Sequence, residues 1–203
     1  MNNEIHPYGS SPLRNQHDYG EKTASKYNIA YFSANANKII EKLQDFQYGC
    51  AYTNGKIITN LNDIDKEDGA NIYIQSPLEF WNNKIGMCHD ASILIDALLI
   101  KENIEHNCFF IYSDEPPFYP THSFIVALCN DNKYRIIDVF ATKKCIYEET
   151  FNDSLKAAEY RFKNWIKTDN KGKKNAHLFI GEHMFYSKCD FVTFYNKITK
   201  SMI

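Results

Sequence analysis

The stretch from Ser76 to Leu99 constrains the fold more than any other, because it places a cysteine at the start of an apolar helix. Ser76, Pro77 and Glu79 form a capping box with proline at the first helical position, which predicts a short helix. The run after Cys88 is apolar on nearly all sides and therefore predicts a second helix, in the core. The free N–H groups and positive dipole end of that helix favour the thiolate form of Cys88.

Two predicted strands downstream supply partners for such a thiol. Residues 121–128 and 133–141 alternate in polarity and are joined by a short polar turn, so they predict a β-hairpin. Pairing around the turn sets Leu128 opposite a residue near Tyr134. The same register carries the histidine of the first strand towards the aspartate of the second.

That histidine is His122 and that aspartate is Asp138, so the sequence predicts that they are neighbours. With Cys88 they supply a nucleophile, a base and an orienting carboxylate. Taken singly, each has a plainer interpretation, since a free cysteine usually acts as a small buried hydrophobe and a sheet histidine is usually a satisfied core residue. Their combination favours catalysis.

The order of these motifs resembles the transglutaminase-like superfamily of papain-like cysteine enzymes. The matching features are a proline-started helix, G-x-C-x-D-A at residues 86–91, a strand with His122 and a hairpin return with Asp138. The resemblance covers roughly residues 39–140. It implies an α+β fold in which N-terminal helices, including the nucleophile helix, pack on an antiparallel β-sheet, with C-terminal helical additions. It also implies a Cys88, His122 and Asp138 triad that needs no metal and no cofactor.

Length and composition predict a single domain. The chain has 203 residues, 44% of them hydrophobic, which suffices for one core. Residues 1–26 are polar without a periodic apolar face, so we expect a flexible N-terminal arm before one domain at 27–203. Its core is expected at about 39–140 and a C-terminal extension at 141–203.

Two amphipathic helices are expected outside the cysteine stretch. The first begins after Ser33 as N-cap and is followed by an apolar stripe of Ile39, Ile40, Leu43 and Phe46. The second lies in the extension, where the stripe consists of Phe151, Leu155, Ala158, Phe162, Trp165 and Ile166. A third helix is expected to close the chain.

Charge and targeting signals exclude several classes of protein. A net charge of -2 gives no broad attraction to nucleic acid or an anionic membrane, so neither is expected as a partner. The sequence shows no Sec-type signal and no membrane span, which predicts a cytoplasmic protein or one exported by a signal-independent route. Its six cysteines lack CxxC spacing and fit a reducing compartment.

An acyl-transfer site also needs donors for an oxyanion. The family resemblance implies the N–H group of Cys88 and an upstream polar side chain. The candidates for that side chain are Gln47, Trp81, Asn82 and Asn83. Beside the nucleophile, His89 is expected at the rim or in support of the site, and Asp90 as a structural carboxylate at the helix start.

The sequence thus predicts a cysteine-dependent acyl-transfer enzyme that hydrolyses an amide bond, as a protease or amidase, in a polypeptide or other amide-containing substrate. A transglutaminase or amine acyltransferase is the first alternative, since a primary amine can replace water. A catalytically inactive binding or assembly module is the second. A zinc site formed by Cys88, His89 and His122 is a weaker alternative, because it lacks a fourth ligand.

The loop at 114–120 leads directly into the strand of His122 and is a candidate wall of the substrate cleft.

Overall fold

The computed structural model describes residues 5–7, 35–52, 54–60, 63, 72–113, 121–141, 145–168, 176–181 and 189–190, which form an α+β fold. Its helices are α1 (Ala36–Lys42), α2 (Pro77–Asn83), α3 (Cys88–Lys101) and α4 (Ser154–Thr168), with a 3₁₀ turn at Leu43–Asp45. Its strands are β1 (Ile5–Pro7), β2 (Gln47–Tyr48), β3 (Cys50–Tyr52), β4 (Ile57–Ile58), β5 (Ile72–Ile74), β6 (Ile85–Gly86), β7 (His106–Ser113), β8 (Thr121–Leu128), β9 (Tyr134–Ile137), β10 (Ala176–Gly181) and β11 (Cys189–Asp190). The predicted fold class is confirmed.

The main sheet has five strands in the order β1-β10-β7-β8-β9. Strands β10, β7, β8 and β9 pair antiparallel, as predicted, whereas β1 adds to the edge in parallel. A second sheet has the order β11-β5-β3-β4, and β2 pairs with β6 in parallel. Strand β6 of this last pair leads directly into the start of α3, so the pairing with β2 helps to position Cys88.

Helices cover both faces of the main sheet. Residues alternate along each strand, so Ile125 of β8 belongs to the core under α3 while Phe124 and Val126 belong to the core under α4. Twelve of the residues of α3, from Cys88 to Leu99, are buried, which confirms the prediction of a core helix. Helix α4 comes from the C-terminal extension, and it packs on the face that His122 shares with Phe124.

Three details of the sequence prediction are wrong. Helix α1 begins after Asn35 rather than Ser33, because the Asn35 side chain accepts the N–H of Lys38. Strand β9 ends at Ile137 rather than at residue 141, since the chain turns there and the N–H of Asp138 bonds to the carbonyl of Cys145. In α4, Leu155 lies 36% exposed, outside the buried stripe.

Other predictions fall largely outside the described residues. Of the N-terminal arm at 1–26 only Ile5–Pro7 is described, and it forms the edge strand β1. The loop at 114–120 and the closing helix lie outside. Within the described part of the chain, no helix is long and apolar enough to cross a membrane. The five cysteines whose side chains are described, Cys50, Cys88, Cys108, Cys129 and Cys145, are free thiols.

Candidate active site

Cys88 is the first residue of α3, as predicted, and only 5% of its surface is exposed. Met87 precedes it in extended conformation as the N-cap. Gly86 lies so close to its neighbours that a Cβ atom there would sit 2.5 Å from Cδ2 of Phe80 and 2.8 Å from Oδ2 of Asp90. Only glycine therefore fits at position 86, two residues before the cysteine. The first-turn N–H groups of α3 have no acceptors within the helix.

Asp90 fixes the start of this helix. Its Oδ2 accepts the N–H of Met87 and its Oδ1 accepts the N–H of Gln75, both at 2.7 Å. Burial raises the pKa of Asp90 to about 7, although these hydrogen bonds favour the charged form and limit the rise. The structural role predicted for Asp90 is confirmed, because this carboxylate ties the helix start to the segment before α2.

The β8–β9 hairpin brings His122 to Asp138. Leu128 pairs with Tyr134, which confirms the predicted register. Asp138 follows the last residue of β9, and its Oδ2 lies 2.7 Å from Nε2 of His122. Both side chains are buried, so this pair is shielded from water.

Cys88 lies close enough to His122 to act on the pKa of its ring, so the three predicted residues come together at the start of α3. Burial alone would lower the pKa of His122. The interactions with Asp138 and Cys88 outweigh burial and raise that pKa to about 9. In turn, despite its burial, Asp138 has its pKa lowered by His122 and Arg161. The arrangement can therefore hold an imidazolium beside the thiol at neutral pH.

Arg161 of α4 is a member of this cluster that the sequence analysis missed. Its Nε donates to Oδ2 of Asp138 at 2.6 Å, and its Nη2 lies 3.0 Å from Nε2 of His122. The side chain is 6% exposed. A signal was present in the sequence, because Arg161 is spaced with Ala158 and Trp165 at i, i+3 and i+7 and thus lies on the buried stripe of α4. A charged residue in such a stripe implies a buried partner.

Tyr48 and Phe140, which follows Asp138 by two residues, form an aromatic pair. The ring of Tyr48 packs edge-to-face on Phe140, with centroids 5.2 Å apart. Although 36% of the residue is exposed, burial of its hydroxyl end raises the pKa of Tyr48, and the charges of Cys88, Cys50 and Asp90 add to the effect. The Tyr48 hydroxyl therefore stays protonated and lies within electrostatic range of Cys88. The sequence analysis did not single out this residue.

The predicted oxyanion donors have different surroundings. Gln47 and Asn82 are exposed, and Trp81 packs its ring 5.6 Å from that of Phe46. The side chain of Asn83 donates to Oε1 of Gln75 at 2.7 Å. The role assigned to these residues stays a prediction.

His89 supports the site from inside rather than from the rim, since it is 1% exposed. Its Nε2 lies 3.4 Å from Oγ1 of Thr121, and its ring packs 5.4 Å from that of Phe110. Burial lowers the pKa of His89 to about 3, with a further contribution from His122. With so low a pKa the His89 ring stays neutral and is a weak base, so it is a poor candidate for a second acid–base group.

Among the described residues, one group could hold a metal ion, and it is separate from Cys88. Asp96, His106 and Cys108 place their ligand atoms within 4.8 Å of one another. Nε2 of His106 is 2.7 Å from Oδ1 of Asp96, and Nδ1 is 2.7 Å from the carbonyl of Ile104. Both ring nitrogens are thus engaged in hydrogen bonds, which defines a buried His–Asp pair.

The fold and these contacts define the class: an α+β protein with a helix-start cysteine beside a buried His–Asp pair. The sequence matches the family described as "Transglutaminase-like domain" (DUF553) over residues 19–171, and the chain therefore belongs to this transglutaminase-like family. The match extends through α4 and includes Arg161. Comparison with curated proteins gives no match.

A solved structure from Cytophaga hutchinsonii, described as a "putative cysteine protease", is similar to 84% of this chain at 13% sequence identity and a TM-score of 0.35. This chain spans only about half of that one, covering 48% of its length.

Proposed function

We propose that this protein is a cysteine-dependent acyl-transfer enzyme that hydrolyses an amide bond, with Cys88 as nucleophile, His122 as acid and base, and Asp138 as the residue that orients His122. The observation that carries the proposal is the buried His122–Asp138 pair, together with the Cys88 thiol at the start of α3, which lies close enough to His122 to act on its pKa. Such an arrangement activates a thiol without a metal.

In the proposed reaction the thiolate of Cys88 attacks the amide carbonyl and forms a tetrahedral oxyanion. The imidazolium of His122 then gives its proton to the leaving amine as the C–N bond breaks, which leaves a thioester on Cys88. His122, now neutral, removes a proton from water, which attacks the thioester; a carboxylic acid is released as the C–S bond breaks, and the Cys88 thiolate and His122 imidazolium are restored. Asp138 holds the ring and stabilises its charged form during both steps.

The oxyanion needs donors where its charge develops. The N–H group of Cys88 at the free end of α3 is the first, and we assign the second to the hydroxyl of Tyr48. That hydroxyl lies near enough to Cys88 for the thiol's charge to raise its pKa, so it remains a protonated donor over the working range of pH.

Hydrolysis and amine transfer are distinguished by giving the enzyme both acceptors. A fluorescein-labelled, glutamine-bearing protein such as casein is incubated with an excess of a biotinylated primary amine, and released peptides, released ammonia and incorporated biotin are measured. We expect the amount of released peptides or ammonia to exceed the amount of incorporated biotin, and we expect this release to be lost in Cys88→Ala. Cys129→Ala is the matched control, because Cys129 is a partly exposed thiol at the far end of β8.

Incorporation that outruns hydrolysis would instead make the protein an amine acyltransferase. Absence of both products, together with slow alkylation of Cys88, would favour an inactive module and contradict the proposal.

A further inference from the structure

The C-terminal helix α4 contributes a cation to the site, and this cation touches both members of the His–Asp pair. The guanidinium of Arg161 donates from Nε to the same oxygen, Oδ2 of Asp138, that faces Nε2 of His122. Its Nη2 lies 3.0 Å from that ring nitrogen. One carboxylate oxygen is thus shared by two cationic groups, and all three side chains are buried.

We propose that Arg161 is a positioning residue that fixes the orientation of the Asp138 carboxylate and weakens the binding of the proton on His122. This inference rests on the proposed function, because it assigns the proton of His122 to the leaving group. It also gives α4 a role in the reaction that its place on the opposite face of the sheet from α3 would not suggest.

The fixed orientation of the Asp138 carboxylate follows from hydrogen-bond geometry. A carboxylate bound only to an imidazole can rotate about its side-chain bonds, whereas a second donor approaching Oδ2 from α4 fixes it between two elements. Arg161 is also the charge that keeps Asp138 ionised when His122 becomes neutral in the second half of the reaction. Without it, a buried carboxylate would then stand without a cationic partner, which is costly.

The weaker binding of the His122 proton follows from the charge of Arg161. When His122 is an imidazolium, its Nε2–H donates to Asp138, and the Nη2 group of Arg161 is then a second positive charge about one hydrogen-bond length away. When His122 is neutral, this repulsion disappears. Arg161 therefore favours release of the proton, and its removal should strengthen the hold of His122 on that proton.

Other groups face the cluster. Helix α3 contributes Cys88 and His89 next to His122, and the segment after β9 contributes Cys145 and Tyr147 near Asp138. Burial raises the pKa of Cys145 to about 11 and, with the charges around it, that of Tyr147 to about 12. His89 is neutral down to low pH. The charges of Asp138 and Arg161 therefore act on the His122 ring near neutral pH, and Cys88 is the remaining ionisable neighbour.

The test measures the His122 pKa directly, without a substrate. The ring signals of His122 are assigned by their loss in His122→Gln and followed by NMR from pH 5 to pH 11 in wild type, Arg161→Gln and Arg161→Met. Both variants remove the charge; the first keeps a donor and the second keeps an unbranched apolar chain, so either one that folds decides the matter. We expect the pKa of His122 to rise by about one unit or more.

A second readout uses iodoacetate, an anion attracted by the imidazolium. Its reaction with Cys88 should slow as His122 loses its proton near pH 9 in wild type, and this fall should move to higher pH in the Arg161 variants. Arg135→Gln is the matched control, because it removes the surface Arg135–Asp131 pair at the turn of the same hairpin. It should leave both readouts unchanged.

A folded Arg161→Gln or Arg161→Met protein with the wild-type His122 pKa would overturn the inference, as would an equal shift in Arg135→Gln. Failure of the proposed function looks different. In that case Cys88 of the wild type would react no faster than Cys129, while the His122 titration would still report the effect of Arg161.

Discussion

Nε2 of His122 lies 2.7 Å from Oδ2 of Asp138, although the two residues are 16 positions apart and Asp138 stands outside the strand that pairs with β8. The hairpin register alone would set Asp138 across from Phe124. The turn after Ile137, fixed by the hydrogen bond from Asp138 to Cys145, is what aims the carboxylate at the histidine. The alignment of this pair therefore depends on the chain that follows β9.

Asp138→Asn tests that alignment. An asparagine keeps the size of the side chain but can offer its amide N–H to His122 and thus favour the wrong ring tautomer, a change that lowers turnover by about 10⁴ in a serine-protease triad. We expect a loss on the order of 10²–10⁴ in casein hydrolysis by a protein that still folds, with a lower unfolding temperature because Arg161 loses its buried carboxylate partner. Wild-type activity in a folded variant would leave only a Cys88–His122 dyad.

Tyr48→Phe tests the second oxyanion donor. Loss of the hydroxyl removes a contact made only in the transition state, so kcat should fall by about 10²–10³ while KM changes little. Tyr160→Phe removes a hydroxyl that bonds to Glu149 on the surface and serves as the matched control. Equal rates in Tyr48→Phe and wild type would return the role to Gln47, Trp81 or Asn82.

The pH dependence of stability follows from the raised pKa of His122. Between its unfolded value of about 6.5 and its folded value of about 9, the folded protein holds a proton that the unfolded chain has lost. The stabilisation is thus complete below pH 6.5 and disappears as pH rises through 9. Urea unfolding at pH 6 and pH 9.5 should show a smaller difference between wild type and His122→Gln at the higher pH. A difference independent of pH would mean that His122 is not charged in the folded state.

Asp90→Ala tests the anchor of the nucleophile helix. The substitution leaves the buried N–H groups of Met87 and Gln75 without acceptors, which should reduce the free energy of unfolding by about 2–4 kcal/mol. Asp153→Ala removes an exposed cap at the start of α4, where Asp153 accepts the N–H of Lys156, and should cost about 1 kcal/mol. Similar losses in both variants would show that the Asp90 contacts contribute no more than a surface cap.

Local sequence patterns predicted the parts of the site that depend on interactions between residues close in sequence. The apolar run after Cys88 and the alternation in β8 and β9 reflect helix and strand periodicities, so the helix start and the hairpin register could be derived from sequence. Arg161 could not be placed in the same way. It reaches His122 across 39 positions, and its contact depends on which face of the sheet α4 covers. The parallel pairing of β1 with β10 is missed for the same reason, since it joins distant ends of the chain.

The most direct test of the central claim is the rate of alkylation of Cys88 by iodoacetamide at pH 7, measured by peptide mapping of the folded protein. Cys129 is the internal reference because it is partly exposed, whereas burial raises the pKa of Cys50 to about 12. A thiolate paired with the His122 imidazolium should be labelled at least about tenfold faster than Cys129, and His122→Gln should abolish that advantage. Labelling of Cys129 ahead of Cys88 in the wild type, or an unchanged Cys88 rate in His122→Gln, would contradict the account.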